Sequence, residues 1–220
     1  MHEREMNWIW TLGAPLVRAV MSIVFRIRIE GIEHVPKSGA VILAPNHLSV
    51  LDGPAVSAVT GTHRWRATRN LIAAEVFRGV IGWILVQARQ VPIRRGTGDT
   101  GALADAVAAA ESGSCVGIFP EGRVGDDPED GLQRIRSGLT RIAIPSGAPV
   151  VPVGIWGTHD VWPRSGLDRT SLLRRHTLGV VYGDALVPHP GESPTTFRER
   201  FRVALEVAVA RARTIAGGPS

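Results

Sequence analysis

Residues 40–52 read AVILAPNHLSVLD, from Ala40 to Asp52. The apolar run Val41 to Ala44 has the length of a buried strand, and Pro45 stops it. A histidine and an aspartate follow, His47 and Asp52. On one regular helix those side chains would point about 140° apart, so they meet only if His47 lies on the loop leaving the strand. An imidazole at the carboxyl end of a strand can take a proton from a hydroxyl, while a carboxylate holds its other ring nitrogen and fixes the tautomer. The competing role for such a histidine is a helix cap or a local hydrogen bond.

On either side of this stretch, strand and helix patterns alternate. Phe25 to Glu30 (FRIRIE) reads as an edge or half-buried strand, Gly53-Pro54 opens a helix over Ala55 to Val59, and Arg64 to Thr68 alternates like a short strand. Glu75 to Leu85 reads as an apolar helix feeding a strand at Val91-Pro92-Ile93. Asp99 to Gly113 is an Ala-rich helix with a C-cap glycine, and Ser114 to Phe119 is a buried strand. Ile135 to Ile144 is a helix ended by Pro145 and Gly147; the strand Pro149 to Trp156 contains Pro152, which calls for a sheet edge or a bulge. His176 to Tyr182 is the last strand. From Ser193-Pro194 a helix runs to about Ala216, with Phe197, Phe201, Leu205, Ala208, Val209 and Ala212 on one stripe. The expected fold is α/β, a mostly parallel central sheet flanked by helices. His47 and the stretch Pro120-Glu121-Gly122-Arg123 then both stand at carboxyl ends of strands, where ligands of open α/β sheets gather.

The segment Asn7 to Val24 is apolar, with Trp8 and Trp10 near its start and Arg26 and Arg28 after it. Gly13, Pro15 and Arg18 interrupt it, so it is expected to lie on a bilayer and not to span one; the alternative is a helix docked on the protein's own core. Residues 1–24 are thus read as an N-terminal membrane-associating apolar helix and residues 25–220 as a single α/β domain. The composition, 44% hydrophobic and 20% charged with net charge +5, is that of a globular chain with a basic surface. Nearly every cation is arginine, Lys37 being the only lysine. Such a surface suits anionic lipid, phosphate or nucleic acid, and no nucleic-acid motif supports the last. Cys115 stands alone, which excludes an intramolecular disulfide and fits a reducing compartment. The seven histidines are scattered without metal-ligand spacing.

His47 to Asp52 resembles the His-x-x-x-x-Asp signature of the glycerolipid acyltransferases, the family that includes 1-acylglycerol-3-phosphate acyltransferase. Phe119-Pro120-Glu121-Gly122-Arg123 resembles that family's phosphate-binding block, and Val150-Val151-Pro152-Val153-Gly154 its last block. The resemblance implies transfer of a fatty acyl group from acyl-CoA or acyl-carrier protein to the hydroxyl of a lysophosphatidic acid-type glycerolipid in phospholipid biosynthesis. It implies no cofactor beyond that co-substrate, and a peripheral location on the cytoplasmic face of the cell membrane. His47 and Asp52 would be catalytic, and Pro120, Glu121, Gly122, Arg123 and Pro152 would contact substrate. Two departures stand out. Ala73 and Val80 occupy places where the second block usually carries Lys and Pro. In the commonest third block the arginine sits one position later, where this chain has Val124. Arg123 would then reach a phosphate from a shifted position, or Arg94 or Arg95 would hold it, or the acceptor would be a different lysolipid or glycerol compound.

The chemistry read from the residues agrees. A hydroxyl needs a positioned base to attack a thioester, and neutral imidazole is an efficient one near pH 7. Gly-x-Ser-x-Gly is absent and Cys115 is placed inside a strand, so direct transfer without an acyl-enzyme is expected. A thioesterase could use the same dyad on water. A non-catalytic lipid-binding protein would have no use for His47 and Asp52 together.

Overall fold

The computed structural model describes residues 6–94 and 96–217. Its centre is a seven-stranded sheet: β1 (Phe25–Glu30), β2 (Val41–Pro45), β3 (Thr68–Ala73), β4 (Val91–Ile93), β5 (Cys115–Gly117), β6 (Val150–Trp156) and β7 (His176–Tyr182). The spatial order is β1-β7-β6-β2-β5-β3-β4, and every neighbouring pair is parallel except β6 with β7. The half-buried FRIRIE pattern accordingly sits on an edge, and the wholly apolar β2 in the middle.

Helices cover both faces because β2 and β6 are apolar on both. Val41 and Leu43 pack with Val151, Val153 and Ile155 under α1 (Trp8–Val24) and α2 (Asp52–Arg64). Ile42 and Ala44 pack with Val150 under α4 (Thr100–Glu111), α5 (Gly138–Ser146) and α6 (Pro194–Ala216). On α6 the phenylalanine stripe faces inward: Phe197, Phe201 and Leu205 are fully buried. Its later turns press so closely on the sheet that a Cβ at Gly154 would lie 2.1 Å from the Ala208 carbonyl oxygen. A glycine is required there by space.

Three details refine or correct the sequence reading. Arg64 to Thr68 is no strand: α2 continues to Arg64, Trp65 takes a left-handed conformation, and β3 begins at Thr68. The alternation in that stretch has another cause, since buried Arg66 donates to the carbonyls of Pro36, Gly39 and Gly113 while Trp65 faces solvent. Of the two settings expected for Pro152, a sheet edge or a bulge, the structure has the second, because β6 is an interior strand. Val150 pairs with Leu186 and Val153 with Tyr182, three steps against four, so the β6–β7 register slips by one residue across Pro152. The missing N–H falls at that bulge. Finally, α5 starts at Gly138, leaving Ile135 buried in the loop before it.

The inner face of α1 buries Trp10, Ala14 and Met21, and its end is latched by Trp10 Nε1 donating to the Ala88 carbonyl at 3.2 Å. Its outer face leaves Trp8, Leu12, Leu16, Val20 and Ile23 exposed. The helix α3 (Gly79–Gln87) adds exposed Val80, Ile81 and Trp83, and the Trp8 and Trp83 rings lie 6.2 Å apart. Among the described residues no helix is long and apolar enough to cross a membrane.

Candidate active site

His47 is delivered by β2. Past Pro45 the Asn46 side chain continues the ladder to β6: its Oδ1 accepts from Ile155 N at 2.7 Å and its Nδ2 donates to Ile155 O at 3.1 Å. That side-chain pairing aligns the strand end and turns the next residue out of the sheet. His47 is then clamped through its backbone, with N donating to Glu121 Oε1 at 2.8 Å and O accepting from Gly125 N at 2.8 Å. Phe119, leaving β5, stacks on the imidazole with centroids 3.9 Å apart and planes at 24°.

Asp52 is the first residue of α2 and is wholly buried. A buried carboxylate is tolerable only when its oxygens are satisfied. Oδ2 accepts from Leu48 N and Ser49 N, both at 2.7 Å, and faces His47 Nδ1 at 3.0 Å; Oδ1 accepts from the Thr158 hydroxyl at 2.5 Å. An acceptor-only carboxylate at Nδ1 places the ring proton there, which leaves the Nε2 lone pair free. No described residue bonds Nε2, and His47 borders a cavity of about 1040 Å³.

The sequence-derived site residues fall into two groups. Pro120, Glu121, Gly122 and Arg123 line the same cavity as His47, whereas Pro152 is buried inside the sheet opposite Ala44 and does not line it. Glu121 ties the turn after β5 to the histidine loop, its second oxygen accepting from Gln133 N at 3.0 Å. Burial pushes its carboxyl pKa upward, against the pull of the two N–H donors from Gln133 and His47. Gly122 adopts φ +72, and a Cβ there would meet Arg136 Cδ at 2.9 Å. Arg94 pairs with Asp99 at 3.4 Å, and Arg95 lies outside the described residues.

Three contributors were missed in the sequence: Asn46, Thr158 and Arg136. Position was the available signal for Thr158, since it follows the carboxyl end of β6 as His47 follows that of β2. The cavity itself is strongly polarised. Among the described residues, Arg94, Arg123, Arg134, Arg136, Arg141 and Arg198 line it against the two carboxylates Asp99 and Glu121, over an apolar floor including Leu71, Ile93, Leu103 and Ile118. Such a lining has the chemistry to suit an amphipathic molecule with an anionic group.

Comparisons with known proteins bear on the fold and the family. A solved structure of the 1-acyl-sn-glycerophosphate (LPA) acyltransferase PlsC from Thermotoga maritima superposes with a TM-score of 0.77 at 20% identity, covering 100% of this chain and 86% of that one. At that identity the match establishes a shared fold. An uncharacterized protein of Mycobacterium tuberculosis is 34% identical over 160 residues, 68% of this chain and 42% of its own length. A chloroplastic 1-acyl-sn-glycerol-3-phosphate acyltransferase of Brassica napus, BAT2, is 26% identical over 142 residues, 63% of this chain and 40% of its own. The chain thus spans less than half the length of these curated relatives. The family model described as Acyltransferase matches residues 26–156, from β1 through the end of β6 and across both strand-end motifs. The chain belongs to the Acyltransferase family.

Proposed function

We propose that this protein transfers a fatty acyl group from a thioester donor, acyl-CoA or acyl-carrier protein, to the free hydroxyl of a lysophosphatidic acid-type glycerolipid. The observation that carries the reading is the His47 Nδ1 to Asp52 Oδ2 contact of 3.0 Å at the edge of an arginine-lined cleft with an apolar floor. His47 Nε2 takes the acceptor's hydroxyl proton as the oxygen attacks the thioester carbonyl. Asp52 holds the ring and stabilises the imidazolium. The tetrahedral intermediate collapses with loss of the thiolate, which takes the proton back from His47, so the ester and free thiol leave and the enzyme is restored. Pro120, Glu121 and Gly122 shape the turn against which the acceptor lies, with Glu121 organising it. No resident cofactor enters, because the thioester supplies the driving force.

The membrane is the natural source of such an acceptor. The exposed apolar faces of α1 and α3, joined at Trp8 and Trp83, support peripheral attachment to a bilayer, with the cytoplasmic face the proposed side. An acceptor screen with one radiolabelled acyl-CoA tests the reading. Label should pass to a lysophospholipid; release of free fatty acid alone, at equal rates with and without acceptor, would make the protein a thioesterase.

A further inference from the structure

The arginine expected to meet an anionic group, Arg123, is engaged elsewhere. Its Nε donates to Gln133 Oε1 at 2.8 Å and its Nη2 pairs with Asp126 at 3.3 Å, a carboxylate that Arg164 shares. Val124 beside it carries no charge.

Arg136, in the loop before α5, is built onto the same turn from the other side. Its backbone N donates to Pro120 O at 2.8 Å, its Nε donates to Glu121 O at 3.0 Å, and its Cδ covers the open side of Gly122. Because the Glu121 carboxylate holds His47 N, the guanidinium is registered to the histidine loop through one residue. The Nε tether orients the plane, Arg136 lines the cleft, and no described carboxylate pairs with its two terminal nitrogens. Those two donors form the fork that matches two phosphate oxygens, and a fork fixed in advance loses less freedom on binding.

We infer that Arg136 is the phosphate-binding cation of this cleft, standing in where position 124 provides none. The inference rests on the proposed acyl transfer only for the source of the phosphate, which is either the acceptor's head group or the phosphates of a CoA donor.

Calorimetric titration of the full chain with sn-glycerol 3-phosphate and, separately, with CoA tests it without requiring turnover. Arg136→Gln should weaken one of the two probes by roughly 10- to 100-fold, the worth of a charge-assisted contact, with the other unchanged. Loss for glycerol 3-phosphate assigns the acceptor head group, and loss for CoA assigns the donor. Arg123→Gln should change either affinity by less than about threefold. Should Arg136→Gln not fold, Arg136→Lys keeps the charge without the fork and should weaken the same probe several-fold. The inference is overturned if the wild type binds neither probe, if folded Arg136 variants bind both normally, or if Arg123→Gln reproduces the loss. Probe binding by a protein that transfers no acyl group to any acceptor would instead sink the proposed reaction and leave the arginine's role standing.

Discussion

The Thr158 hydroxyl donates to Asp52 Oδ1 at 2.5 Å, and the other oxygen, Oδ2, faces His47 while accepting from Leu48 N and Ser49 N. Thr158 therefore acts as a positioning residue, holding a buried carboxylate in one rotation from the far side of the site. Thr158→Val keeps the shape and removes the donor. It should lower kcat by roughly 3- to 30-fold at nearly unchanged donor KM and destabilise the fold by about 1–3 kcal/mol, the cost of an unsatisfied buried acceptor. Thr158→Ser should restore kcat. Steady-state kinetics in which Val and Ser variants lose rate equally would reduce Thr158 to packing.

His47→Ala should lower kcat by roughly 10²- to 10⁴-fold, the usual worth of a positioned base, with a melting temperature near wild type. Asp52→Asn should also impair kcat, because an amide can hold the imidazole in the wrong tautomer. The two act as a unit, so the double variant should be little worse than His47→Ala alone. Full transfer by a well-folded His47→Ala protein would remove the base from the mechanism.

How much of this was legible in the sequence depended on whether the signal was local. The strand length of Val41 to Ala44, the stop at Pro45 and the stripe on α6 are local, and β2, β7 and α6 lie where they were read. Arg64 to Thr68 misled because two-residue alternation also arises where a helix ends and a long cation is buried beneath it. Pro152 was read as an edge or a bulge, and the register of β6 against β7 decides for the bulge, which lets an interior strand accept a proline. The spacing of His47 and Asp52 allowed them to meet only with His47 on the loop, and the resemblance to the His-x-x-x-x-Asp signature implied that they do; the Thr158 and Arg136 contacts join residues 106 and 15 positions apart and carry no such local signal.

Glu121 gives a pH test with a definite sign. Burial raises its pKa, so the proton is bound more tightly in the folded state than in the unfolded chain. The corresponding stability is fully present below the ordinary glutamate value and is lost as pH rises through the raised one. Relative to Glu121→Gln, which cannot ionise, the wild type should lose ground between pH 4 and pH 7.5 in urea denaturation. A wild type that gains on the variant over that interval would show that the N–H groups of His47 and Gln133 outweigh the burial.

The membrane proposal is best tested by changing a face of α1, not by deleting the helix. The sequence reading set residues 1–24 apart from the α/β domain, but Trp10, Ala14 and Met21 are buried against that domain's core, so deletion would uncover it. Leu12, Leu16 and Ile23 point the other way, being 67%, 64% and 76% exposed. The triple substitution Leu12→Gln, Leu16→Gln, Ile23→Gln removes apolar area available to a bilayer while leaving the docked face unchanged. Each such side chain is worth roughly 1.5–3 kcal/mol when fully buried, so even partial insertion of three should set the bound fraction. The variant should stay in the supernatant of a liposome sedimentation assay that pellets the wild type, with its melting temperature within about 3 °C and activity on a water-soluble short-chain acceptor retained. Equal pelleting of the two proteins would show that the α1 face is not the attachment surface and would move attention to Val80, Ile81 and Trp83 of α3.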